Sequence, residues 1–237
     1  MKGNNKIPSI VAIIPAYNEE KTIKGVIFEI RELNLPNMRI LVMDDGSTDQ
    51  TSYYAILAGA TSIRHEINLG IGATLKTGYE AALLGHPDIV IQLDADGQHN
   101  PSEIPKLIQP ILDGHADVVI GSRFLGSIED LPYIRSLGIR FFTWITRKII
   151  SKPITDVTSG YRAYEANILK ELLDFKGDNH WAVELTIKIA KKNLRIIEVP
   201  VTMKKRKEGT SQFNRVSTLL LYPFRVLWRV IMTHLNQ

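Results

Sequence analysis

The sequence IVIQLDADGQH, residues 89–99, gives the clearest indication of the fold, an apolar run that ends in closely spaced carboxylates. Residues 89–93 are predicted to form a buried strand, because a short apolar run bounded by turn residues is typical of a parallel sheet. Ligands of open α/β sheets bind beyond the carboxyl ends of the strands. Asp94 and Asp96 are therefore predicted to lie in a functional site, the alternative being a solvated acidic turn.

The pattern of an apolar run followed by a helical stretch repeats along the chain up to about residue 121. This alternation predicts an α/β fold with a mostly parallel central sheet flanked by helices. The predicted strands are residues 9–14, 39–43, 62–64, 89–93 and 118–120, and the predicted helices are residues 20–33, 48–57, 71–84 and 102–112.

Beyond residue 121 the pattern is less regular. Residues 131–152 form an amphipathic basic stretch, and residues 156–173 combine a turn with a short helix. A helix over residues 180–192 and a strand over residues 195–203 are predicted to follow. Because no linker composition is visible, we predict one domain over residues 1–211 and a membrane-associating helical tail over residues 212–237.

The composition is that of an ordinary globular protein, with 44% hydrophobic and 23% charged residues among 237. The chain has no cysteine, which excludes disulfides and thiolate metal sites. Its formal net charge of +4 suggests a phosphate-rich partner, a nucleotide or a lipid headgroup as readily as nucleic acid. The apolar run at residues 10–15 is too short for a signal peptide or a membrane span, so no N-terminal targeting segment is expected.

The carboxylates after the central strand suggest a metal site. Asp94 and Asp96 are spaced i, i+2, so both can converge on one divalent cation. Mg²⁺ and Mn²⁺ prefer oxygen ligands together with phosphate oxygens of a substrate. Gln98 can add a carbonyl oxygen, and His99 is a further candidate ligand if the metal is manganese.

Two other strand ends carry polar side chains. At residues 15–20, Tyr17 offers a flat surface for a nucleobase and Glu19 an acceptor for ribose hydroxyls, the alternative being a proline turn with a helix cap. At residues 43–47, one of Asp44 and Asp45 is expected to hold the base or ribose while the other caps the turn. A simple Asx-capped β-turn is the alternative there.

The glycine-rich residues 68–73 do not form a dinucleotide fingerprint, since Leu75 stands where that motif requires glycine or alanine. We predict a tight turn that opens a helix near the nucleotide. Among the basic residues, Arg123 follows an apolar strand and suits bidentate phosphate binding. The run at residues 204–207 is equally consistent with a solvated charged surface.

These motifs occur in a fixed order along residues 7–211: PxYNE, DDGS, NxGxG, DxDxQH, GSR, TSGYR and RxxGxS. Together they resemble the family 2 glycosyltransferases, and most closely the dolichyl- or polyprenyl-phosphate mannose and glucose synthases. The resemblance implies a GT-A nucleotide-sugar-binding fold with C-terminal amphipathic interfacial helices.

The same resemblance implies the roles of individual residues. The nucleotide-sugar donor would be bound by Pro15, Tyr17, Glu19, Met43, Asp45 and Ala95. Mg²⁺ or Mn²⁺ would be held by Asp94, Asp96 and Gln98, and the catalytic set would be Asp94, Asp96, Arg123 and Arg206. One departure concerns the acceptor, because Pro132 stands where mannose synthases carry a basic residue before Ser-x-Gly. We expect Arg135, Ser136 and Arg140 to serve there instead.

The function implied is inverting transfer of a hexose, mannose or glucose, from a GDP- or UDP-hexose to polyprenyl or dolichyl phosphate. A second candidate is transfer to a hydroxyl of a glycolipid or polysaccharide, which would need a general base such as Asp156 or Glu184. For Asp156, ordering of the turn at residues 158–160 is the alternative role. A nucleotide-binding scaffold without turnover is a third. Nucleic-acid binding is suggested by charge alone and is not predicted.

Two segments predict contact with a membrane. Residues 141–150 combine aromatic and cationic side chains, the alternative being a core helix. Residues 216–235 are about as long as a span, but Arg225 and Arg229 would each cost roughly 2.5–3.5 kcal/mol at the bilayer centre. Pro223 interrupts the helix as well. We therefore expect a peripheral protein at the cytoplasmic face of a membrane.

Overall fold

The structure, a computed structural model, describes residues 7–129, 133–150, 152–178 and 180–205. Its strands are β1 (Ile10–Ala16), β2 (Met38–Asp44), β3 (Thr61–Arg64), β4 (Ile89–Gln92), β5 (Val118–Ile128), β6 (Arg162–Glu165) and β7 (Ile196–Met203). Its helices are α1 (Ile23–Glu32), α2 (Thr51–Leu57), α3 (Ile71–Leu83), α4 (Ile104–Leu112), α5 (Tyr133–Ile150), α6 (Ala166–Lys170) and α7 (Trp181–Lys191). The predicted tail, residues 212–237, lies outside the described residues.

The strands form one sheet in the order β3-β2-β1-β4-β6-β5-β7. Strand β1 is central and pairs in parallel with both β2 and β4. Only β6 runs against its neighbours, pairing antiparallel with β4 and with β5. The prediction of a mostly parallel sheet is therefore confirmed.

Alternate residues of β1 supply the two halves of the core, because successive side chains of a strand point to opposite faces. Ile10, Ala12 and Ile14 pack with α1, α2 and α4 on one face. Val11 and Ile13 pack with α3, α6 and α7 on the other. Both faces of the sheet are thus covered, as the strand–helix alternation predicted.

The second half of the sheet differs from the prediction in two respects. Strand β6 falls within residues 156–173, which were predicted to hold only a turn and a short helix. Strand β5 continues to Ile128 rather than ending near residue 120, since its second part pairs with the end of β7 after a shift in register. Both differences arise from pairing with strands distant in sequence, which local patterns do not reveal.

The carboxyl ends of β1, β2, β3, β4 and β7 meet at one edge of the sheet, and β6 begins there. This edge collects the polar loops that follow β1, β2 and β4. Helix α5 lies beside it and contacts α7 through a small third core that contains Phe142, Val183 and Ile187. Within the described part of the chain, no helix combines the length and apolar character needed to span a bilayer.

Candidate active site

The loops after β1 and β2 are tied to each other by hydrogen bonds. The Asp45 amide donates to the Ala16 carbonyl at 2.8 Å. The Asn18 amide donates to the Ser47 hydroxyl at 2.9 Å, and Asn18 Oδ1 accepts from the Thr48 amide at 2.8 Å. Asn18 adopts a φ of +56°, a conformation that asparagine tolerates better than most residues. The two loops therefore form one fixed wall, which leaves the Tyr17 ring exposed beside it.

The adjacent carboxylates of Asp44 and Asp45 have different partners, as expected. Asp44 Oδ1 accepts from the Ser47 amide at 2.8 Å and caps the turn. Asp45 accepts from the amides of Leu69 and Gly70, at 2.9 and 2.8 Å, so it anchors the turn that opens α3. That turn was predicted from the glycines, and Gly70 adopts a φ of +90° as the residue before α3.

His65 completes the environment of Asp45. Its Nδ1 lies 2.9 Å from Asp45 Oδ1, and its Nε2 lies 3.2 Å from the Thr77 hydroxyl. Burial by itself would raise the pKa of Asp45, but the hydrogen bonds from His65, Leu69 and Gly70 outweigh it, and the net pKa lies below its usual range. Asp45 is thus a fixed negative charge. Its hydrogen bonds hold together the wall formed by the loops after β1 and β2.

The remaining predicted donor residues occupy different depths. Pro15 is buried within β1. Met43 is fully buried, where its side chain lies against Gly78 of α3. Its side chain is closed to solvent in this structure, and its predicted contact with the donor stays a prediction. Glu19 is half-buried and accepts from the Thr22 hydroxyl at 2.7 Å.

The loop after β4 presents two carboxylates at different exposures. The Asp94 side chain is 39% exposed, whereas Asp96 is buried, as is Ala95 between them. Asp96 Oδ1 accepts from the Gln98 amide at 2.9 Å, and Gly97 supplies the turn with a φ of +76°. The loop therefore holds the Asp96 carboxylate in place through its own backbone.

His99 closes this loop from below. Its Nδ1 accepts a hydrogen bond from the Asp94 amide at 3.0 Å. The buried ring stacks on Tyr161, with centroids 4.8 Å apart, and burial lowers the pKa of His99 to about 4. At neutral pH the imidazole is uncharged. Because Nδ1 already accepts from the protein backbone, it is not available as a manganese ligand.

The Asp94–His99 loop is also fastened to the end of β7. The Lys204 amide donates to the Gln98 carbonyl at 2.8 Å, and Gln98 Nε2 donates to the Lys204 carbonyl at 3.3 Å. His99 forms a bridge with Met203. These contacts place the chain that leads toward residue 206 beside the predicted metal loop. Arg206 itself lies outside the described residues.

Arg123, at the register shift between the two paired parts of β5, forms a buried two-point ion pair with Asp156. Its Nε and Nη2 donate to the two carboxylate oxygens at 2.6 and 2.7 Å, and Nη2 also donates to the Thr158 hydroxyl. Burial opposes ionisation of Asp156, but the charge and hydrogen bonds of Arg123 outweigh it and lower the pKa of that carboxyl. Asp156 is therefore a poor general base, which corrects one of the sequence-based candidates.

Glu184, the second candidate base, lies within α7 and is almost fully buried. Its Oε1 accepts from the Lys176 amide at 3.1 Å and lies 3.8 Å from the Lys188 ammonium. A group enclosed in this way does not reach a substrate at the sheet edge. The Glu184 side chain is therefore not open to a substrate in this structure, which makes it a poor candidate for the base.

One short loop joins the two charged centres. Asp156 holds Arg123 at its beginning, and Gly160 lies against Asp94 at its end, where an added Cβ would be 3.4 Å from Asp94 Oδ1. Glu198 of β7 fixes the loop by accepting from the amides of Thr155 and Asp156, at 2.7 and 2.8 Å. Arg123 and Asp94 therefore lie on two sides of the same short loop.

A groove of about 390 Å³ opens next to Arg123. It is bounded on one side by the outer part of β5 and on the other by α5, which contributes Ser136 and Arg140. The Arg140 guanidinium lies 5.2 Å from the centre of the ring of Phe124, which also lines the groove. Two predicted acceptor residues are therefore brought together with Arg123. The side chain of the third, Arg135, lies outside the described residues.

The oxygen atoms of the Asp94 loop suit a divalent cation that prefers oxygen ligands. Among the described residues no cluster of three or more histidine, aspartate or glutamate side chains forms a complete metal cage. Two carboxylates on one loop match the way Mg²⁺ is usually bound, through one or two carboxylates plus substrate phosphates. Asp94 and Asp96 would hold such a cation, with diphosphate oxygens supplying the other ligands.

The fold and this site define a class of protein, the GT-A-like α/β proteins. The structure superposes on glucosyl-3-phosphoglycerate synthase from Mycobacterium tuberculosis, solved in complex with Mn²⁺, uridine diphosphate and phosphoglyceric acid. The TM-score is 0.78 at 23% identity, and the match covers 96% of this chain and 78% of that one.

Residues 11–173 match the model of Glycosyl transferase family 2, and the chain belongs to this family. It is 32% identical to a UDP-N-acetylglucosamine–dolichyl-phosphate N-acetylglucosaminyltransferase of Methanococcus voltae, over 96% of this chain and 97% of that protein. It is 31% identical to the polyprenol monophosphomannose synthase of Mycolicibacterium smegmatis, over 86% of this chain and 80% of that protein. The resemblance inferred from the motifs is confirmed, and the chain is a glycosyltransferase.

Sequence reasoning missed two residues that organise the site. Glu198 is a lone carboxylate inside an apolar strand, a pattern that indicates a specific hydrogen-bond partner for the carboxylate. His65 directly follows β3, at the same edge as the other polar loops. Its role depends on contact with Asp45, 20 residues earlier.

Proposed function

We propose that this glycosyltransferase moves a hexosyl group from a GDP- or UDP-sugar to polyprenyl or dolichyl phosphate at a membrane surface. The observation that carries the proposal is the loop over residues 156–160. It joins the Arg123 groove, suited to an anionic acceptor, to Asp94, where the donor diphosphate would lie. The names of the relatives from Methanococcus voltae and Mycolicibacterium smegmatis support the same acceptor class.

The donor is expected to enter along the wall formed by the β1 and β2 loops. Tyr17 offers an exposed ring for the nucleobase, and Glu19 offers carboxylate oxygens for ribose hydroxyls. Asp45 contributes indirectly, because its oxygens already accept hydrogen bonds that fix residues 69 and 70. When bound, a divalent cation would neutralise charge on the departing diphosphate.

The acceptor phosphate is expected to bind in the groove at Arg140, beside the Arg123–Asp156 pair that forms its wall. An oxygen of that phosphate attacks the anomeric carbon, a new carbon–oxygen bond forms, and the bond to the donor diphosphate breaks with its electron pair. The nucleoside diphosphate leaves, and the single displacement inverts the anomeric centre.

The state of the two candidate bases favours this acceptor over a sugar hydroxyl. A hydroxyl must lose a proton as it attacks, whereas a phosphate monoester is already anionic. Asp156 is held ionised by Arg123 and Glu184 is enclosed within α7, so neither is suited to accept that proton. An acceptor that needs no base matches the residues that are present.

Helix α5 supports a location at a membrane surface. Leu137, Phe141 and Trp144 are each about half exposed or more, and their spacing puts them on one face of the helix. Arg140 and Arg147 are also exposed on α5, and Arg140 lines the groove. Exposed aromatic and aliphatic side chains among cations suit the headgroup region of a bilayer. The acceptor phosphate would then reach Arg140 directly from the lipid surface.

The test is a transfer assay with purified protein, polyprenyl phosphate in detergent, and a panel of labelled GDP- and UDP-sugars that includes an N-acetylhexosamine. The expected product is a lipid-linked monosaccharide, formed only with a divalent cation present. Asp96→Ala should abolish its formation, while Asp113→Ala, at an exposed position after α4, should not. Donor hydrolysis without lipid product, or full activity in excess chelator, would contradict the proposal.

The membrane location has its own test, sedimentation with vesicles that contain anionic lipid. Replacing Phe141 and Trp144 by serine should weaken binding, whereas serine at Leu84, an exposed residue at the end of α3, should not. Equal loss in both variants would show that the effect is not specific to α5.

A further inference from the structure

The buried imidazole of His99 contacts Asp94 at both of its nitrogens. Nδ1 accepts from the Asp94 amide at 3.0 Å, and Nε2 lies 3.7 Å from Asp94 Oδ2. Since Nδ1 is an acceptor, the proton of the neutral ring is on Nε2 and is directed at the carboxylate. Nε2 is buried and has no hydrogen-bond partner among the described residues. The Asp94 carboxylate lies beside this nitrogen and is placed to receive its proton.

The ring cannot easily turn to satisfy Nε2 elsewhere. It stacks on Tyr161, and the Tyr161 hydroxyl is itself fixed by donating to the Asn100 carbonyl at 2.9 Å. The His99 backbone is bridged to Met203. On the remaining side, Gly160 lies against the ring, where an added Cβ would be 3.7 Å from Cε1. The imidazole is thus held in place by its surroundings, whereas the Asp94 side chain is 39% exposed.

We propose that His99 is a positioning residue that sets the orientation of the Asp94 carboxylate for a divalent cation. The proposal rests on the function proposed above and adds a residue to it. A movement of about 0.8 Å would bring Oδ2 to the usual N–H···O distance of about 2.9 Å from Nε2. The bond so formed would fix Oδ2 of Asp94, and Oδ1 would then be the oxygen that contacts the cation.

A buried donor of this kind has a recognisable energetic role. An unmet buried N–H is unfavourable, so the bond from Nε2 favours the Asp94 conformer that binds metal. Outer partners of metal ligands typically change metal affinity 10- to 100-fold when they are removed. His99 would act before donor binds, because all its contacts lie within the free protein.

Two substitutions of His99 distinguish the roles of its two ring nitrogens. In His99→Asn the amide lies near the position of Nδ1, so its oxygen can still accept from the Asp94 amide. In His99→Gln the amide reaches the position of Nε2 and can still donate to the carboxylate. Manganese binding by the free protein, followed by electron paramagnetic resonance, should weaken about 10- to 100-fold in His99→Asn and by much less in His99→Gln. His115→Asn, an exposed position, serves as control.

A second measurement needs no metal. Long-range nitrogen–proton spectra of the metal-free protein should show His99 as the neutral tautomer protonated at Nε2. Protonation at Nδ1, unchanged manganese affinity in His99→Asn, or equal loss in both variants would overturn the proposal. Transfer activity is scored separately. If manganese affinity changes among wild type and the two variants as expected but wild type forms no lipid product, the proposed function is contradicted. The proposed role of His99 is then still supported.

Discussion

Arg123 and Asp156, 33 residues apart in sequence, form a buried ion pair in which the guanidinium donates to both carboxylate oxygens. The pair is in the wall between the groove and the Asp94 loop. Removing one member of a buried pair leaves the other charge uncompensated, which typically costs about 3–5 kcal/mol. We therefore expect Asp156→Asn to lower the free energy of unfolding by about 3 kcal/mol or more, as measured by urea denaturation.

The control for this prediction replaces both charges. The double variant Arg123→Met, Asp156→Leu should recover much of the lost stability, because apolar residues of similar volume often substitute for a buried pair at little cost. It should remain inactive, since Arg123 lines the groove. An Asp156→Asn protein within about 0.5 kcal/mol of wild type would show that the pair does not have this role.

A second ion pair, far from the site, makes stability depend on pH. Asp117 accepts from the Arg195 amide at 2.7 Å and from its Nε at 3.0 Å. These bonds from Arg195 lower the pKa of Asp117, and only part of the effect is offset by burial. A carboxyl whose pKa is lower in the folded state stabilises the protein above its unfolded pKa of about 3.9. That contribution disappears as pH falls through the folded pKa.

Asp117→Asn should therefore be less stable than wild type by a constant amount between about pH 5 and 7, and the difference should shrink below about pH 4. Urea denaturation at pH 7, 5, 4 and 3 measures this. Asp113→Asn, at the exposed end of α4, should show little difference at any pH. A gap between wild type and Asp117→Asn that persists or widens at pH 3 would contradict the assignment.

The strands of the first half of the sheet could be predicted from sequence because each is a local apolar run. Parallel pairing alone predicted that Asp45 and Asp94 lie at the same edge of the sheet. Strand β6 could not be predicted, since it begins with Arg162, a cation that is fully buried in the fold. Arg162 donates to the carbonyls of Val157 and Ser159 and lies 5.3 Å from the centre of the Trp181 ring.

The same limit applies within the site. Sequence motifs identified Arg123 and Asp156 separately, but their pairing depends on how β5 and the loop before β6 meet. For Asp45 the residue was found and its principal contacts were not, because residues 69 and 70 come into reach only when α3 packs on the sheet. The backbone pattern thus predicts where polar groups gather, and the tertiary contacts decide which of them face a substrate.

Gly72 allows the chain before α7 to pack on the first turn of α3. A Cβ at this position would lie 2.1 Å from the Asp178 carbonyl oxygen and 2.4 Å from the Gly177 carbonyl carbon. Because these are backbone atoms, the clash cannot be relieved by a side-chain rotation. Gly72→Ala should destabilise the protein by about 1–3 kcal/mol, measured by thermal or urea denaturation.

Gly25 of α1 provides the matched control, since nothing lies within 4 Å of an added Cβ there. Gly25→Ala should stabilise the protein by about 0.5–1 kcal/mol, because alanine is the better helix former. Equal effects in the two variants would mean that the contact at Gly72 is not a close one.

Arg140 allows the acceptor groove to be tested separately from the donor site. It lines the groove with Arg123 and Ser136 and makes no described contact with the loops after β1 and β2. A hydrogen bond to a charged group contributes about 1.5–3 kcal/mol, so Arg140→Ala should raise the KM for polyprenyl phosphate about 10- to 100-fold. The KM for the nucleotide sugar should stay within about threefold, and initial rates in detergent micelles with each substrate varied in turn measure both.

Arg147→Ala, an exposed arginine of the same helix, should leave the acceptor KM nearly unchanged in micelles. Arg140→Lys should recover part of the loss, because the positive charge is kept while the planar guanidinium is not. A rise in donor KM equal to the rise in acceptor KM would place Arg140 outside the acceptor site, and an effect of Arg147→Ala as large as that of Arg140→Ala would assign the loss to general charge on α5.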